Sequence, residues 1–238
     1  MTHGAIGYRR VLLKLSGELI GSAKNIFDFD AVEPMAEQIQ RLLAEGIQIA
    51  VVLGGGNIYR GRLSHVSAET GDHIGMLATI INGLALRDFL ERKSIRCLLQ
   101  SALPSGTFAE RHNSRMARHA LEEGQVVIFS GGTGLPFFST DMAAAHRAIE
   151  VGADVLLKAT KVDGIYDSDP MQNTNAVHFP RISFDEVVRR GLNVMDQEAF
   201  CLCRRYRMPI IVFSMHRKNA LIHAAGGKPM GSFIGESF

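Results

Sequence analysis

The hydrophobic positions along the chain fall into short apolar runs separated by longer segments with helical spacing. The apolar runs predict strands at residues 11–15, 47–53, 95–99, 126–129, 153–157 and 209–213. Apolar residues three and four positions apart predict helices around residues 73–90, 111–123, 140–151 and 196–207. Strands that alternate with helices are typical of a parallel sheet covered by helices on both faces. We therefore expect an α/β fold, a three-layer sandwich with a mostly parallel central sheet, in one domain over residues 1–238.

A further helix is predicted between the first two strands. Asp30 is followed three residues later by Glu33, which resembles a capping box, so we place the start of this helix at Asp30. Its apolar face ends shortly before Gly46, a residue type that commonly closes helices.

The predicted helix at residues 73–90 has few polar positions on any side. A helix that is apolar nearly all round is buried on most of its surface. In a chain of 238 residues this favours a subunit interface as readily as a deep core. We therefore predict that the protein forms homo-oligomers.

The composition is informative mainly because it argues against several classes of function. The chain is 46% hydrophobic and 21% charged, with a mean hydropathy of +0.07, as expected for a soluble globular protein. Its 26 basic and 24 acidic residues are too evenly balanced to predict binding to nucleic acids or membranes. No targeting segment is evident, and no run approaches the roughly 20 apolar residues that span a bilayer, so we expect a cytoplasmic protein. Cys97, Cys201 and Cys203 match neither a disulfide framework nor a metal site, and we expect buried, reduced thiols.

Three predicted strands end in loops that are suited to phosphate binding. The first strand ends with Lys14 and Ser16-Gly17, the second with Gly54-Gly55-Gly56 and nearby Arg60, and the fourth with Ser130 to Gly134. Glycine lets phosphate oxygens approach backbone N–H groups that a side chain would cover. Ligands of such sheets bind beyond the carboxyl ends of the strands. The pattern therefore predicts a polyphosphate site with basic side chains beside it.

Several common phosphate-binding and hydrolytic motifs are missing from the sequence. There is no G-x-x-x-x-G-K-[ST] P-loop and no G-x-G-x-x-G after the first strand. The protein-kinase motifs and the G-x-S-x-G elbow of serine hydrolases are absent as well. These absences leave few families of phosphate-binding α/β proteins.

The remaining motifs resemble those of the bacterial UMP kinases, within the wider amino-acid-kinase family. The resemblance spans roughly residues 8 to 235. Its motifs are Lys14-Leu15-Ser16-Gly17-Glu18, Gly54-Gly55-Gly56-Asn57-Ile58-Tyr59-Arg60-Gly61, Gly71-Asp72-His73-Ile74-Gly75, Thr133-Gly134-Leu135-Pro136-Phe137-Phe138-Ser139-Thr140-Asp141, Lys158-Ala159-Thr160-Lys161-Val162-Asp163-Gly164 and Val194-Met195-Asp196. The Gly-Asp-His and Pro-Phe-Phe stretches are the most specific to UMP kinases. The resemblance implies the amino-acid-kinase, or carbamate-kinase-like, fold and ATP-dependent phosphorylation of UMP to UDP.

By position, the resemblance also implies roles for individual residues. The expected ATP contacts are Lys14, Leu15, Ser16, Gly17, Gly56, Arg60, Thr160, Tyr166 and Asp169. The expected UMP contacts are Gly55, Asp72, Thr133, Gly134, Leu135, Pro136, Phe137, Phe138, Ser139 and Thr140. The expected catalytic residues are Lys14, Arg60, Asp141 and Asp196. The part before about residue 150 would serve UMP and the oligomer interface, and the later part would serve ATP.

The resemblance further implies partners and a mechanism. Mg²⁺ is expected to act with ATP, held mainly by phosphates and water and by no dedicated protein site. The family forms hexamers built as trimers of dimers. Because the accepting phosphate oxygen is already ionised, we expect direct in-line transfer without a strong general base or a phosphoenzyme.

Several of these residues also have simpler structural explanations. Lys14 could extend from its strand end to solvent. Asp72 and Asp196 could be helix N-caps, and Asp141 could be a first-turn acid favoured by the helix dipole. Phe137, like its neighbour Phe138, could pack in the core.

Three other functions fit parts of the pattern. A kinase of the same fold could act on carbamate or an acyl amino acid, although the Gly-Asp-His and Pro-Phe-Phe stretches speak against it. A non-catalytic storage protein for nucleotides or oxyanions should lack the set of Lys14, Arg60 and Asp141, but this chain has all three. An oxidoreductase is disfavoured by the missing dinucleotide motif. Leu135 stands where UMP kinases usually have Asn, and residues 105–123 diverge, so base selectivity and nucleotide regulation are left open.

Overall fold

The computed structural model describes residues 7–22, 24–60, 65–192 and 195–236. The strands are β1 (Arg10–Leu15), β2 (Gln48–Leu53), β3 (Cys97–Ser101), β4 (Glu110–Arg111), β5 (Val126–Ser130), β6 (Val155–Thr160), β7 (Ile165–Tyr166), β8 (His178–Phe179), β9 (Arg181–Ser183), β10 (Ile210–Ser214) and β11 (Ser232–Gly235). The helices are α1 (Phe29–Ala44), α2 (Ala68–Arg92), α3 (Ser114–Glu122), α4 (Thr140–Val151), α5 (Phe184–Arg190), α6 (Gln197–Arg205) and α7 (Ala220–Ala225). Gly61 and Val194, which belong to two of the motifs, lie outside the described residues.

Nine of the strands form one sheet in the order β4-β3-β5-β2-β1-β6-β10-β11-β9. Its ladders are parallel except for β11, which runs antiparallel to β10. The strands β7 and β8 form a separate small antiparallel pair. The expected mostly parallel sheet is confirmed.

Alternate residues of the central strands point to two separate apolar layers. Along β1, Leu13 and Leu15 pack with residues of α1, α2 and α7, whereas Leu12 packs with residues of α3, α4, α5 and α6. Because every central strand is covered on both faces, its sequence is a nearly continuous apolar run. The expected three-layer sandwich is therefore confirmed.

The predicted strands and helices overlap those of the structure, but three predicted helix starts are wrong. The helix expected from residue 111 begins at Ser114 with Asn113 as its cap, and Arg111 lies in β4. Helix α1 begins at Phe29, and the Asp28 carboxylate accepts from the Ala31 N–H, so Asp30 lies in the first turn instead of capping it. Helix α2 begins at Ala68 with the Ser67 side chain as its cap. Asp72 is consequently inside the helix, and the N-cap explanation for it fails.

Helix α2 is buried along one side only. Leu77 and Ile81, one helical turn apart, are 54% and 46% exposed in the single chain. The expectation that this helix is buried on most sides is therefore wrong for one subunit. The exposed apolar side chains of Leu77 and Ile81 nevertheless support the predicted oligomer interface.

The cysteines do not all match the expectation of buried thiols. Burial raises the pKa of the Cys203 thiol to about 12, and the half-buried Cys97 has its pKa raised to about 12 mainly by burial as well. Cys201 is exposed, so the prediction is wrong for that residue.

None of the helices in the described ranges combines the length and the apolar character needed to cross a membrane.

Glu150 links α4 to the residues before α3 and should make stability depend on pH. Its Oε2 atom accepts from Arg147 and lies 3.0 Å from His112 Nε2. Burial would raise the pKa of Glu150, but the hydrogen bonds from His112 and Arg147 hold it at about 2, below the ordinary 4.5. A lowered pKa means that this stabilisation is present above about pH 4.5 and is lost as the pH falls through about 2.

The variant Glu150→Gln should therefore lower the free energy of unfolding by about 1–3 kcal/mol at neutral pH. Urea unfolding at a series of acidic pH values measures this difference. The free energies of unfolding of Glu150→Gln and of the wild type should converge as the pH approaches the lowered pKa of Glu150. The control Glu37→Gln removes an exposed partner of Arg41 and should change stability by less than about 1 kcal/mol. A Glu150→Gln deficit that does not change with pH would contradict this assignment.

Candidate active site

The strand order brings the phosphate-binding loops of the sequence to one edge of the sheet. The strands β5, β2, β1 and β6 are neighbours, and they run parallel. Their carboxyl ends therefore carry the loops that begin at Gly131, Gly54, Ser16 and Lys161 side by side. This arrangement is the position at which open α/β sheets bind ligands.

Three buried charged residues lie at the centre of this edge. Lys14 on β1 pairs in register with Lys158 on β6, so the two side chains lie on the same face of adjacent strands. Asp141, in the first turn of α4, places Oδ1 2.8 Å from Lys14 Nζ and accepts from Lys158 through Oδ2. The residues are only 8%, 6% and 8% exposed, respectively. Lys14 therefore does not extend to solvent, and Asp141 is more than a first-turn acid favoured by the helix dipole.

The cluster holds one negative and two positive charges. Burial would raise the pKa of Asp141, but the charges and hydrogen bonds of Lys14 and Lys158 hold it below its ordinary value. Burial lowers the pKa of Lys158, assisted by the Lys14 charge and opposed by Asp141. Asp141 is therefore held ionised, and its role is to keep two lysines together at the strand ends.

Lys158 is a member of the cluster that the sequence analysis did not assign to the site. A signal was present, because Lys158 is a lysine near the end of a buried apolar strand, as Lys14 is. Only the register of β1 and β6 shows that Lys14 and Lys158 lie side by side on adjacent strands.

Glycines allow the loops after β1 and β2 to lie against each other. A Cβ atom at Gly17 would lie 2.2 Å from Asn57 Oδ1 and 2.8 Å from Gly56 N. One at Gly55 would lie 2.8 Å from the Gly75 carbonyl oxygen in α2. At Gly56 it would meet nothing within 4 Å, so this glycine borders open space.

Substitutions at two of these glycines should therefore separate folding from ligand binding. Gly17→Ala should lose about 1–3 kcal/mol of stability because its methyl group overlaps the neighbouring loop. Gly56→Ala should unfold at the wild-type temperature but raise KM for ATP, the ligand that the motif predicts here, about tenfold, since the methyl group enters the open space where phosphate is expected. Thermal unfolding and initial-rate kinetics measure both effects. A destabilised Gly56→Ala with wild-type KM would contradict this distinction.

The two other first-strand residues predicted to contact ATP have different environments. The Leu15 side chain is fully buried, and its carbonyl oxygen accepts from the Gly54 N–H at 2.8 Å, so only its backbone borders the loop. Ser16 precedes a short 3₁₀ helix, Gly17–Leu19, without capping it through its side chain.

Arg60 lies apart from the lysine cluster, in an exposed group of charges. Its guanidinium pairs with Glu18, and its Nε donates to the Gly56 carbonyl oxygen at 3.2 Å. Lys161 also pairs with Glu18. The hydrogen bond from Lys161, together with the charges of Lys161 and Arg60, lowers the pKa of Glu18. Both cations are thus gathered beside the phosphate-binding loops by one carboxylate.

A cavity of about 180 Å³ opens between α2, the loop after β2 and the start of α4. It is lined by Gly55, Gly56, Tyr59, Gly71, Asp72, Gly75, Met76, Thr79, Gly132, Phe138, Ser139 and Thr140. The structure therefore brings together five of the ten predicted UMP contacts: Gly55, Asp72, Phe138, Ser139 and Thr140. Gly56, a predicted ATP contact, lines the same cavity, and the other wall residues, Tyr59, Gly71, Gly75, Met76, Thr79 and Gly132, were not predicted.

The other five predicted UMP contacts, Thr133 to Phe137, form an adjacent loop that does not line this cavity. Thr133 Oγ1 accepts from the Leu135 N–H at 3.1 Å, which closes a tight turn. Leu135 and Phe137 are 60% and 72% exposed, and Phe138 is 46% exposed, so the core-packing explanation for the two phenylalanines is wrong.

Two acidic residues accept hydrogen bonds from this loop and from Ser139, which follows it. The Asp72 carboxylate accepts from the Phe137 N–H at 2.7 Å, where Phe137 has a φ of 68°. A left-handed conformation is unfavourable for a bulky residue, so this bond helps to hold it. The Asp196 carboxylate accepts from Ser139 Oγ, and Asp196 makes no capping bond to α6. Asp196 therefore occupies the N-cap position of α6, but its side chain does not cap the helix.

The predicted adenosine contacts lie beyond β6. Thr160 ends that strand, and its hydroxyl donates to the Val162 carbonyl oxygen. The Tyr166 hydroxyl donates to Asp163, which also pairs with Arg217. Asp169 is exposed and accepts from the Met171 N–H at 2.9 Å. These residues follow the lysine cluster along the chain, toward the β10 side of the sheet.

The sequence and the fold both match characterised proteins. The family model described as "Amino acid kinase family" matches residues 9–214. Uridylate kinases from Pseudomonas paraeruginosa and Pseudomonas aeruginosa strain UCBPP-PA14 are 49% identical over 233 residues, covering 96% of this chain and 95% of theirs. The solved UMP kinase of Bacillus anthracis has a TM-score of 0.94 at 36% identity, covering 98% of each chain. That of Ureaplasma parvum has a TM-score of 0.90 at 34% identity, covering 96% of this chain and 99% of the other.

Proposed function

The chain belongs to the amino acid kinase family, and we propose that it transfers the γ-phosphoryl group of ATP to UMP, forming UDP for pyrimidine nucleotide biosynthesis. It is a nucleoside monophosphate kinase with the amino-acid-kinase fold that its motifs imply. The observation that carries the proposal is the position of the buried Lys14, Asp141 and Lys158 cluster. It lies where two glycine-bearing loops meet, and Asp141 directly follows Thr140, the first residue of α4, which lines the acceptor cavity.

The cluster is suited to phosphoryl transfer because it supplies charge without supplying a proton acceptor. Phosphoryl transfer depends mainly on alignment of the reactants and on neutralising charge on the moving group. Lys14 and Lys158 place fixed positive charge at two adjacent strand ends, in a buried setting where electrostatic stabilisation is strong. Asp141, whose pKa is lowered, holds both lysines in place and does not take up a proton at neutral pH. The accepting phosphate oxygen is itself ionised, so no general base is needed.

The predicted site residues are divided between the two substrates. For ATP we propose Lys14, Leu15, Ser16, Gly17, Gly56, Arg60, Thr160, Tyr166 and Asp169. For UMP we propose Gly55, Asp72 and the run from Thr133 to Thr140. In this division of the single domain, residues before about 150 serve mainly the acceptor and later residues mainly ATP. Arg60 and Asp196 act beside the cluster, Arg60 toward phosphate and Asp196 through Ser139.

Magnesium is the metal that we propose for this reaction. Within the described ranges, no group of three or more His, Cys, Asp and Glu side chains is arranged to hold a metal ion. We propose an ion that is carried mainly by ATP phosphates and water. When bound, it neutralises charge on the phosphates.

The family also supports a proposal for the assembly and the location. We propose a hexamer arranged as a trimer of dimers, in the cytoplasm. The exposed stripe of Leu77 and Ile81 on α2 is the surface that supports an interface.

The function is tested by coupled ADP release with Mg-ATP and a panel of acceptors. UMP, CMP, dCMP, AMP, carbamate and N-acetylglutamate are compared by kcat/KM. We expect turnover with UMP, and little with the two carboxylate-like acceptors. Turnover of carbamate or N-acetylglutamate in preference to UMP would replace this proposal with another kinase of the same fold.

A further inference from the structure

The phenol hydroxyl of Tyr59 is a buried polar group in the wall of the acceptor cavity. Tyr59 follows β2, and its backbone N–H donates to the Gly55 carbonyl oxygen at 3.0 Å, which fixes the residue beside the glycine loop. Its side chain lines the same cavity as Asp72. Across the part of the chain that the structure describes, its hydroxyl oxygen is buried and has no hydrogen-bond partner.

Other polar side chains of this wall are already engaged within the protein. Thr79 Oγ1 donates to the Met76 carbonyl oxygen at 2.7 Å and accepts from the Gly131 N–H at 2.8 Å. Ser139 Oγ donates to Asp196 and accepts from Asp141 N, and Asp72 accepts from Phe137 N. The Tyr59 hydroxyl differs from these groups because its hydrogen-bonding capacity is unused.

An unused buried hydroxyl is unfavourable, because burial removes it from water and nothing replaces the lost bond. Phenylalanine would fill the same space without that cost. A polar ligand in the cavity would remove the cost, since a phenol can both donate to and accept from a nucleotide oxygen.

We propose that the Tyr59 hydroxyl hydrogen-bonds to the acceptor nucleotide and sets the affinity of the cavity for it. This inference rests on the proposed function, since it takes the acceptor to be a nucleoside monophosphate. Because the hydroxyl oxygen is buried, this contact requires the ring to turn toward the cavity when the acceptor enters. Tyr59 is thus an affinity-determining contact, and Lys14 and Lys158 remain the groups that act on the transferring phosphoryl.

The isosteric variant Tyr59→Phe tests the inference. Tyr206→Phe is a matched control, since Tyr206 is 55% exposed at the end of α6 and does not line the cavity. Tyr59→Phe should raise KM and Kd for UMP about tenfold, the effect of one lost hydrogen bond to a ligand, and leave KM for ATP unchanged. Its ligand-free unfolding temperature should equal or exceed that of the wild type, because no existing bond is removed.

Tyrosine fluorescence gives a second readout that a merely structural role would not move. The protein has four tyrosines and no tryptophan, so its emission reports tyrosine environments. UMP should change this emission in the wild type and in Tyr206→Phe, and the change should be lost in Tyr59→Phe.

The outcomes separate this inference from the proposed function. If the wild type binds and phosphorylates UMP but Tyr59→Phe has the same Kd and the same fluorescence change, the Tyr59 contact is overturned and the function stands. If the wild type neither binds nor phosphorylates UMP, the proposed function and the inference fail together.

Discussion

Replacing Asp141 with Asn is expected to lower kcat for UDP formation about 10²–10³-fold. Asp141 lies between Lys14 and Lys158, and no other carboxylate among the described residues pairs with both. Without its charge, two buried ammonium groups on adjacent strands repel each other, and Lys158, whose pKa is already lowered, loses its proton most readily. The positive charge at the transferring phosphoryl group then falls, and the lysines separate.

The same substitution should lower the free energy of unfolding by about 3–5 kcal/mol, because it removes one partner of a buried ion pair. Stopped-assay rates and thermal unfolding measure the two effects, and ATP binding by calorimetry shows whether the variant is folded. Asp88→Asn is the control, since it removes an exposed partner of Arg92 on α2. An Asp141→Asn enzyme with near wild-type kcat would show that the cluster does not organise catalysis.

Replacing Lys14 with Gln should have the second large effect, a loss of about 10²–10³-fold in kcat/KM for ATP. Lys14 is the last but one residue of β1, and only Leu15 separates it from the Ser16-Gly17 turn. Glutamine keeps a polar side chain, one atom shorter than that of lysine, but supplies no charge. The Lys14 effect should appear mainly in kcat, since a group that acts on the transition state changes turnover more than substrate binding.

Two comparisons make this prediction specific. Lys24→Gln removes an exposed lysine and should leave the kinetics unchanged. The double variant Lys14→Gln with Asp141→Asn should lose far less than the product of the single losses, because the residues act as one unit. Fully additive losses would indicate that Lys14 and Asp141 act separately.

The sheet was predictable because its central strands are buried on both faces. Such strands are short continuous apolar runs, and β1, β2 and β5 carry no competing helical spacing. Helix α4 was predicted with its observed bounds, since Ser139 caps it and Gly152 ends it in the left-handed conformation. The ends of β1 and β2 were predicted correctly, but β6 was predicted to end at residue 157 and extends to Thr160, so Lys158 fell outside the predicted strand.

The elements missed by the sequence analysis are short or pair at the edge of the sheet. The strands β4, β7 and β8 have two residues each, which is too few for any periodicity. Helix α7 has six residues, and its Asn219 cap position makes no side-chain capping bond. Local patterns cannot show such elements, because tertiary packing is what stabilises them.

The site was predicted incompletely for a related reason. Lys158 needed the register of β6 against β1, and Tyr59 needed the cavity between α2 and the glycine loop. Asp72 was given a capping alternative because the apolar pattern began near Ile74, whereas the helix begins at Ala68 with polar residues. Contacts between distant segments decide the first two, whereas the start of α2 is set locally by the Ser67 cap.

The most direct test of the account uses ATP that carries a chiral, isotopically labelled γ-phosphoryl group, with UMP as acceptor. Direct in-line transfer at the Lys14, Asp141 and Lys158 cluster predicts labelled UDP with inverted configuration at its β-phosphorus. Retained configuration would indicate a phosphoenzyme, and ADP release without labelled UDP would show that UMP is not the acceptor; either result would contradict the account.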